Sequence, residues 1–474
     1  MAHLSALCGL RVVTLERERE IYPLPRAVHF DGEVMRILQT IGVSEQVDRV
    51  SRINPGMRFV DPDDNSLLEW PRPNDVGPHG WFPSYRFHQP DLEDILRKKL
   101  IERPNVEARL GTEVVSLEQS AHGVALACQQ DGEQTEVTAD YVIGCDGAKS
   151  TVRRAIGGGS EDMGFNERWL VVDLMLKHDR SDLGDFTVQH CHPTQAVTYV
   201  RGPGLRRRWE ISLHGDPEQD AERPDFIWKK LERWVSPDAA DIERSAIYTF
   251  HSTIASQWRD RRLFIAGDAA HQMPPFMGQG MCSGLRDAAN LAWKIAVACR
   301  DGCAEDWLDS YQAERHVHTR HYIETSVNLG RLINASDPKA ALQGAFVGGD
   351  GKAVMRSPNV RLGQGLWAAT SEECGYVFGQ PALNSGQLSD DAIGYAPVLF
   401  FAADTLTEEQ ITIAREHRIG LVSATKSASA VAMLQGLRAS AVLVRPDRYI
   451  FDLAREPVEI QRLLETAPPN PLAH

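Results

Sequence analysis

Apolar positions along this chain follow two rhythms: short buried strands and longer helical faces. Residues 10–16, LRVVTLE, read as a buried strand. Val12, Val13, Thr14 and Leu15 are β-formers, and the run ends in Glu16 followed by Arg17. Residues 139–147, ADYVIGCDG, form a second such run, with a short helix beginning at about Ser150. Residues 262–268, RLFIAGD, form a third. These two close on Asp146-Gly147 and Gly267-Asp268. An acid beside a glycine at the carboxyl end of a parallel strand lies where open α/β sheets hold ligands. A buried strand meeting an ordinary turn gives the same letters.

After Asp268 the rhythm lengthens. Pro274-Pro275 forces an extended segment, and Gly278-Gln279-Gly280 gives a loop whose backbone can approach a ligand closely. Leu285, Ala288, Ala289, Ala292, Ile295, Ala296 and Cys299 then recur at three- and four-residue spacing and predict an amphipathic helix. A glycine loop feeding a helix N-terminus favours an anion. Residues 56–85 and 161–254 are strand-rich with many turn signals. Within them Trp209, Glu210 and Ile211 lie on a strand. The triplet Arg206-Arg207-Arg208 reads as a solvated turn or as a docking patch for carboxylates. Residues 336–390 are rich in Gly, Ser and Pro and predict a linker with short helices. From Pro397 strands and helices alternate: PVLFFAA, a helix over 407–417, IGLVSAT, a helix near 427–437, then SAVLVRPDRYIF.

The chain has 474 residues, room for two or three domains, and its 42% hydrophobic content supports a sizeable core. A net charge of −14 argues against nucleic acid and against a polybasic membrane surface. No run approaches the roughly 20 apolar residues of a membrane span. The N-terminus has neither the charged region nor the cleavage site of a signal peptide. The eight cysteines include no CxxC pair; Cys299 and Cys303 read as packing, and His190 to His192 lack further ligands, so no metal is expected. A reduced, cytoplasmic protein is the simplest reading.

Several segments resemble one family, the FAD-dependent aromatic hydroxylases of the para-hydroxybenzoate hydroxylase fold. CDGAKSTVRR at 145–154 is similar to its Asp-Gly motif. GDAAHQMPPFMGQGMCSGLRDAANLAWK at 267–294 resembles its Gly-Asp motif almost letter for letter. PLPRAVHFDGEVMRIL at 23–38, RFHQPDLEDIL at 86–96 and WLDSYQAERHVHTR at 307–320 also match. Together with ERWLVVD at 167–173 and VRPDRY at 444–449, the likeness is to the subgroup that hydroxylates 3-(3-hydroxyphenyl)propionate.

The resemblance implies an α/β (α+β) fold. A discontinuous Rossmann-like FAD-binding domain would comprise 1–55, 86–160 and 255–335, and an inserted β-sheet substrate domain 56–85 and 161–254. A linker over 336–390 would lead to a thioredoxin-like domain over 391–474, without CxxC, for packing or dimerisation. It implies that FAD is held by Glu16, Arg17, Arg26, Ala27, Gln89, Asp146, Gly147, Gly267, Asp268, Pro275, Gly278, Gln279, Gly280, Met281 and Cys282. Asp268 would serve the ribityl and pyrophosphate region, and Pro275 with Gly278 to Cys282 the isoalloxazine ring. NADH or NADPH would reduce FAD, and O2 would then hydroxylate a phenol. His29, on the flavin side, is the candidate for proton transfer; the alternative is a satisfied structural histidine. Two other functions stay open: hydroxylation of a polyketide-type aromatic, and a truncated, flavin-poor protein that no longer catalyses.

Two departures stand out. Cys282 occupies a position where the subgroup has Asn. The family also places a strand and a Gly-x-Gly-x-x-Gly turn before the ribose-binding Glu, about 30 residues. Here fifteen residues precede Glu16, with Gly9 the sole glycine. The expectation is a gene start drawn too late or a truncated protein, with weak FAD binding as the consequence.

Overall fold

The computed structural model describes residues 1–23, 25–192, 194–213, 223–346, 354–368, 370–402 and 406–472. Part of the expected linker, 347–353 and Ala369, lies outside them.

The strand read at 10–16 spans Val12–Glu16 and pairs in parallel with Val106–Leu110, Val12 opposite Val106. The second and third apolar runs become Val142–Gly144 and Leu263–Ile265, also parallel, with Arg259–Asp260 antiparallel beside them. These are two separate sheets. The Val12–Glu16 edge away from Val106–Leu110 has no strand partner among the described residues, nor does the Val142–Gly144 edge away from Leu263–Ile265. The predicted amphipathic helix spans Gly280–Asp301 and is buried along most of its length. Its small residues Ala288, Ala289, Ala292 and Ala296 let it pack closely under Phe30, Val34 and Leu38.

Seven strands from residues 56–71 and 160–255, joined at one edge by His271–Gln272, build one eight-stranded sheet. Its order is His271–Gln272, Ala240–Ala255, Ser160–Leu176, Arg206–Ser212, Val197–Arg201, Thr187–His190, Gly56–Val60 and Ser66–Pro71. One face closes with Leu170, Val172, Trp209 and Ile211 against the helix Pro224–Leu231. The other face looks toward the loops around Arg26 and Phe276. Ser84–Arg86 leaves this sheet and joins His29–Asp31 and Arg52–Ile53.

The C-terminal unit runs strand Val398–Phe401, helix Glu408–Glu416, strand Gly420–Ser423, helix Ala428–Gly436, strands Ala441–Val444 and Ile450–Ala454, then helix Ile460–Glu465. The first two strands are parallel and the other two antiparallel, in the spatial order 2-1-3-4. This is the arrangement of a thioredoxin-like sheet. The Glu408–Glu416 helix starts on a capping box of Thr407 and Gln410. Buried ions dock this unit. Asp390 takes Arg36 at 2.6 Å and Arg448 at 3.0 Å, and Arg445 meets Glu314 at 2.8 Å.

Candidate functional site

The Gly-Asp turn follows Leu263–Ile265. Gly267 has φ 62°, which favours glycine. A side chain at Gly284 would stand 3.1 Å from the Gly267 Cα, so the long helix approaches this turn because both positions lack one. Asp287, one helical turn further on, organises the junction. Its carboxylate accepts the Gly267 N–H at 3.0 Å, His271 Nε2 at 2.7 Å and Arg315 Nε at 2.9 Å. Burial opposes its charge, but His271 and Arg315 outweigh burial and hold the carboxyl down to about 2. His271 is thus a buried structural partner. Asp268 behaves oppositely. It reaches solvent and has no hydrogen bond among the described residues. Surrounding protein raises its pKa against the pull of His271 and Arg26.

The loop carrying Arg26 and Ala27 is pinned from two sides. Gln89 Oε1 accepts the N–H of Arg26 at 2.9 Å and of Ala27 at 2.8 Å. Arg208 donates to the carbonyls of Arg26 at 2.8 Å and Pro25 at 2.6 Å. This corrects both readings of the arginine triplet. Arg206–Ser212 is a strand, Arg207 and Arg208 are buried, and Arg208 spends its donors on that loop and on Asp173. The Arg26 side chain remains exposed, 4.8 Å from the Tyr22 ring.

Pro275–Met277 makes one turn of 3-10 helix and Gly278 follows with φ 63°. A Cβ there would stand 2.7 Å from His29 Nδ1. His29 Nδ1 lies 3.2 Å from the Gly278 carbonyl, and Nε2 lies 2.7 Å from Ser84 Oγ, which also accepts from Asn54 at 2.9 Å. A carbonyl only accepts, so Nδ1 carries the proton and Ser84 donates to Nε2. Burial, with Arg72 adding to it, lowers the His29 pKa to about 4. Gln279 is held by Arg286 at 3.0 Å and reaches Asp31 at 3.2 Å; Arg286 also bonds Asp31 and Glu33, each at 2.6 Å. Gly280 and Met281 open the helix, whose first N–H groups lack intrahelical partners. The Cys282 thiol is fully buried, 3.5 Å from the Gly278 carbonyl, so this side chain turns into the protein.

Asp146 accepts the N–H groups of Thr151 at 2.7 Å and Val152 at 3.2 Å, starting the helix Thr151–Ile156. Gly147 takes φ 74° beside it. Arg153 from this helix donates to the Ala269 carbonyl at 2.6 Å, joining the Asp-Gly and Gly-Asp motifs. Glu16 and Arg17 stand exposed at their strand end. Glu16 Oε1 accepts the Glu18 N–H at 2.8 Å, and Arg17 lies 3.1 Å from Glu18.

So the fold holds Arg26 and Ala27 on Gln89, brings Arg26 close enough to Asp268 for their charges to interact, and sets His29 beside Gly278 and Cys282. Sequence reasoning missed Asp287, Arg286 and Arg315, and misread Arg208. Asp287 carried one signal: it is an acid inside the matched motif, on the predicted amphipathic helix.

The family model described as FAD binding domain matches residues 1–326. A probable NADH-specific resorcinol 4-hydroxylase of Rhodococcus jostii is 40% identical over 349 residues, 72% of this chain and 65% of that protein. A 3-(3-hydroxy-phenyl)propionate/3-hydroxycinnamic acid hydroxylase of a Mycobacterium species is 35% identical over 346 residues, 72% of this chain and 59% of that protein. The matched regions thus span less than two thirds of each relative. Among solved structures, the flavin-dependent monooxygenase PieE, in complex with FAD and substrate, superimposes with TM-score 0.82 at 19% identity, covering 98% of this chain and 95% of that one. Aklavinone-11 hydroxylase with FAD and aklavinone gives TM-score 0.78 at 20% identity, covering 98% and 96%. At such identities these two establish the fold alone. Through its Gly-Asp turn, its pinned Arg26 loop and the family match over residues 1–326, the chain belongs to the FAD-binding domain family.

Proposed function

We propose that this protein hydroxylates a phenolic ring with FAD, NADH and O2, on substrates of the resorcinol or 3-(3-hydroxyphenyl)propionate type. The residues present fit the flavin. The observation that carries the reading is Asp268, a carboxylate without a hydrogen bond among the described residues, at a turn locked by Asp287 and close enough to Arg26 to feel its charge. An acceptor held this way is suited to ligand hydroxyls. Arg26, Ala27 and the first N–H groups of the Gly280–Asp301 helix would help to hold the flavin, the N–H groups by favouring negative charge.

Bound FAD supplies the redox chemistry and the activation of O2. The chain's own residues place and shield. Gln89 and Arg208 fix the Arg26 loop, and Asp287 fixes Gly267. His29, neutral, braces Gly278 while Ser84 holds its other nitrogen. As a proton-transfer group His29 would work through Ser84, not by direct contact. Trp169 and Phe276, packed edge to face at 5.5 Å, keep water from one end of the space between sheet and loops.

The test is the full chain reconstituted with FAD and supplied with NADH and O2. Resorcinol and 3-(3-hydroxyphenyl)propionate are offered separately, and the product is read by mass. A mass gain of one oxygen on either ring supports the reading. NADH oxidation yielding only hydrogen peroxide with both overturns it.

A further inference from the structure

The strand Arg206–Ser212 sends alternate side chains to opposite faces. Trp209 and Ile211 enter the apolar core on one side. Arg208, Glu210 and Ser212 stand on the other, opposite Asp173, Val171 and Trp169 of the neighbouring strand Ser160–Leu176. Two contacts fix what this face looks at. Arg208 grips the Pro25 and Arg26 carbonyls, and Trp169 meets Phe276 in the turn before Gly278. Glu210 lies between those two points. It therefore faces the space bordered by the Arg26 loop and the Gly278 loop.

Glu210 is 8% exposed, and its carboxylate makes no hydrogen bond among the described residues. The nearest cation, Arg208 Nη1, is 3.6 Å away, beyond hydrogen-bond reach. Cross-strand neighbours do not compensate: Val171 is apolar, and the Thr198 hydroxyl donates to Gln189 at 2.6 Å. Burial raises the Glu210 pKa; Arg208 opposes that, Asp173 adds to it, and Arg244 opposes it again. A mostly buried carboxylate that no protein donor satisfies is left to solvent or to a ligand in the space it faces, and groups perturbed in this way cluster at functional sites.

We propose that Glu210 accepts the proton of the substrate's phenolic hydroxyl. The O–H bond breaks, the proton moves to a Glu210 carboxylate oxygen, and the bonding pair stays on the ring oxygen. The resulting phenolate is richer in electrons at its ortho and para carbons, where hydroxylation occurs. This rests on the phenol-hydroxylase reading.

Two measurements on the FAD-loaded full chain test it. The first uses 4-nitrophenol, whose ionised form is coloured, bound at a pH below its solution pKa. Wild type should show the phenolate band, Glu210→Asp a weaker one and Glu210→Gln none, with circular dichroism confirming that each variant is folded. The second is kcat against pH for a hydroxylated phenol. Glu210→Gln should fall by roughly 100-fold and lose the acidic limb of the profile. An equal band in wild type and Glu210→Gln, or no band in wild type, overturns the proposal. So does a kcat within twofold of wild type with the same acidic limb. If wild type hydroxylates nothing yet the band behaves as expected, the activity reading fails and the proton acceptor stands.

Discussion

Asp287 accepts the backbone N–H of Gly267 at 3.0 Å, twenty residues away in sequence, and so ties the Gly280–Asp301 helix to the turn that presents Asp268. Three donors converge on this carboxylate, which is fully buried. Asn at this position keeps one acceptor but aims an NH2 group at donors. Asp287→Asn should destabilise the protein by about 3 kcal/mol, the range for breaking a buried ion pair, and should weaken FAD binding as well. Urea unfolding and FAD titration measure the two effects. Unchanged stability would mean that the Gly-Asp turn stands without its buttress.

Asp268→Ala should do the reverse, leaving the fold intact while weakening FAD. The carboxylate makes no hydrogen bond among the described residues, so its removal costs no internal contact there. One charge-assisted bond to a ligand is worth about 1.5–3 kcal/mol, or roughly 10- to 150-fold in affinity. Fluorescence titration with FAD gives the affinity, and thermal unfolding of the apo-protein gives the control. Equal affinity in both proteins would refute the role.

His29 makes a pH-dependent prediction. Its pKa is about 4 in the folded chain against about 6.5 unfolded. Between those values the unfolded chain binds more protons, so stability rises with pH. The contribution is full above about pH 6.5 and is lost as pH falls toward 4. His3, also lowered to about 4 by burial, adds to the same window. At pH 5 the share of His29 amounts to about 2 kcal/mol. His29→Gln should therefore cost less stability at pH 5 than at pH 7, by about that amount. A gap that stays constant between the two pH values would show that His29 is not held neutral.

The elements were legible where local pattern decides structure. The Gly-Asp strand, the helix after Gly278 and the alternation after Pro397 each follow from period and turn residues within one window. What could not be read depends on partners far away in sequence. Arg208 reads as a surface charge because nothing nearby announces Asp173 or the Pro25 carbonyl, 35 and 183 residues away. Glu210 was placed on a strand, but not on a face, since the face follows from register against Val171 and Thr198. Cys282 is set at the start of the Gly280–Asp301 helix, yet its thiol turns inward to the Gly278 carbonyl, an orientation that no spacing encodes.

The last prediction concerns the motif WLDSYQAERHVHTR, whose two central ions face different ways. Arg315 supports Asp287 at 2.9 Å, while Glu314 meets Lys294 and Arg445, each at 2.8 Å. Arg445 comes from the C-terminal unit, so adjacent residues on one helix brace the Gly267 turn and the docked unit. All three ions of the Glu314 cluster are fully buried. Removing the carboxylate charge would leave Lys294 and Arg445 facing each other with only Asp447 to offset them. Lys294 is already lowered to about 8, by burial first. Glu314→Gln should therefore cost about 3–5 kcal/mol. The loss should appear first as protease cleavage between the domains, ahead of global unfolding. Replacing Arg445 with Met in the same chain should not restore the loss, because Lys294 would remain unpaired. If limited proteolysis gives the same fragments at the same rate for wild type and Glu314→Gln, the C-terminal unit is held by its apolar contacts and by the Arg36–Asp390–Arg448 cluster instead.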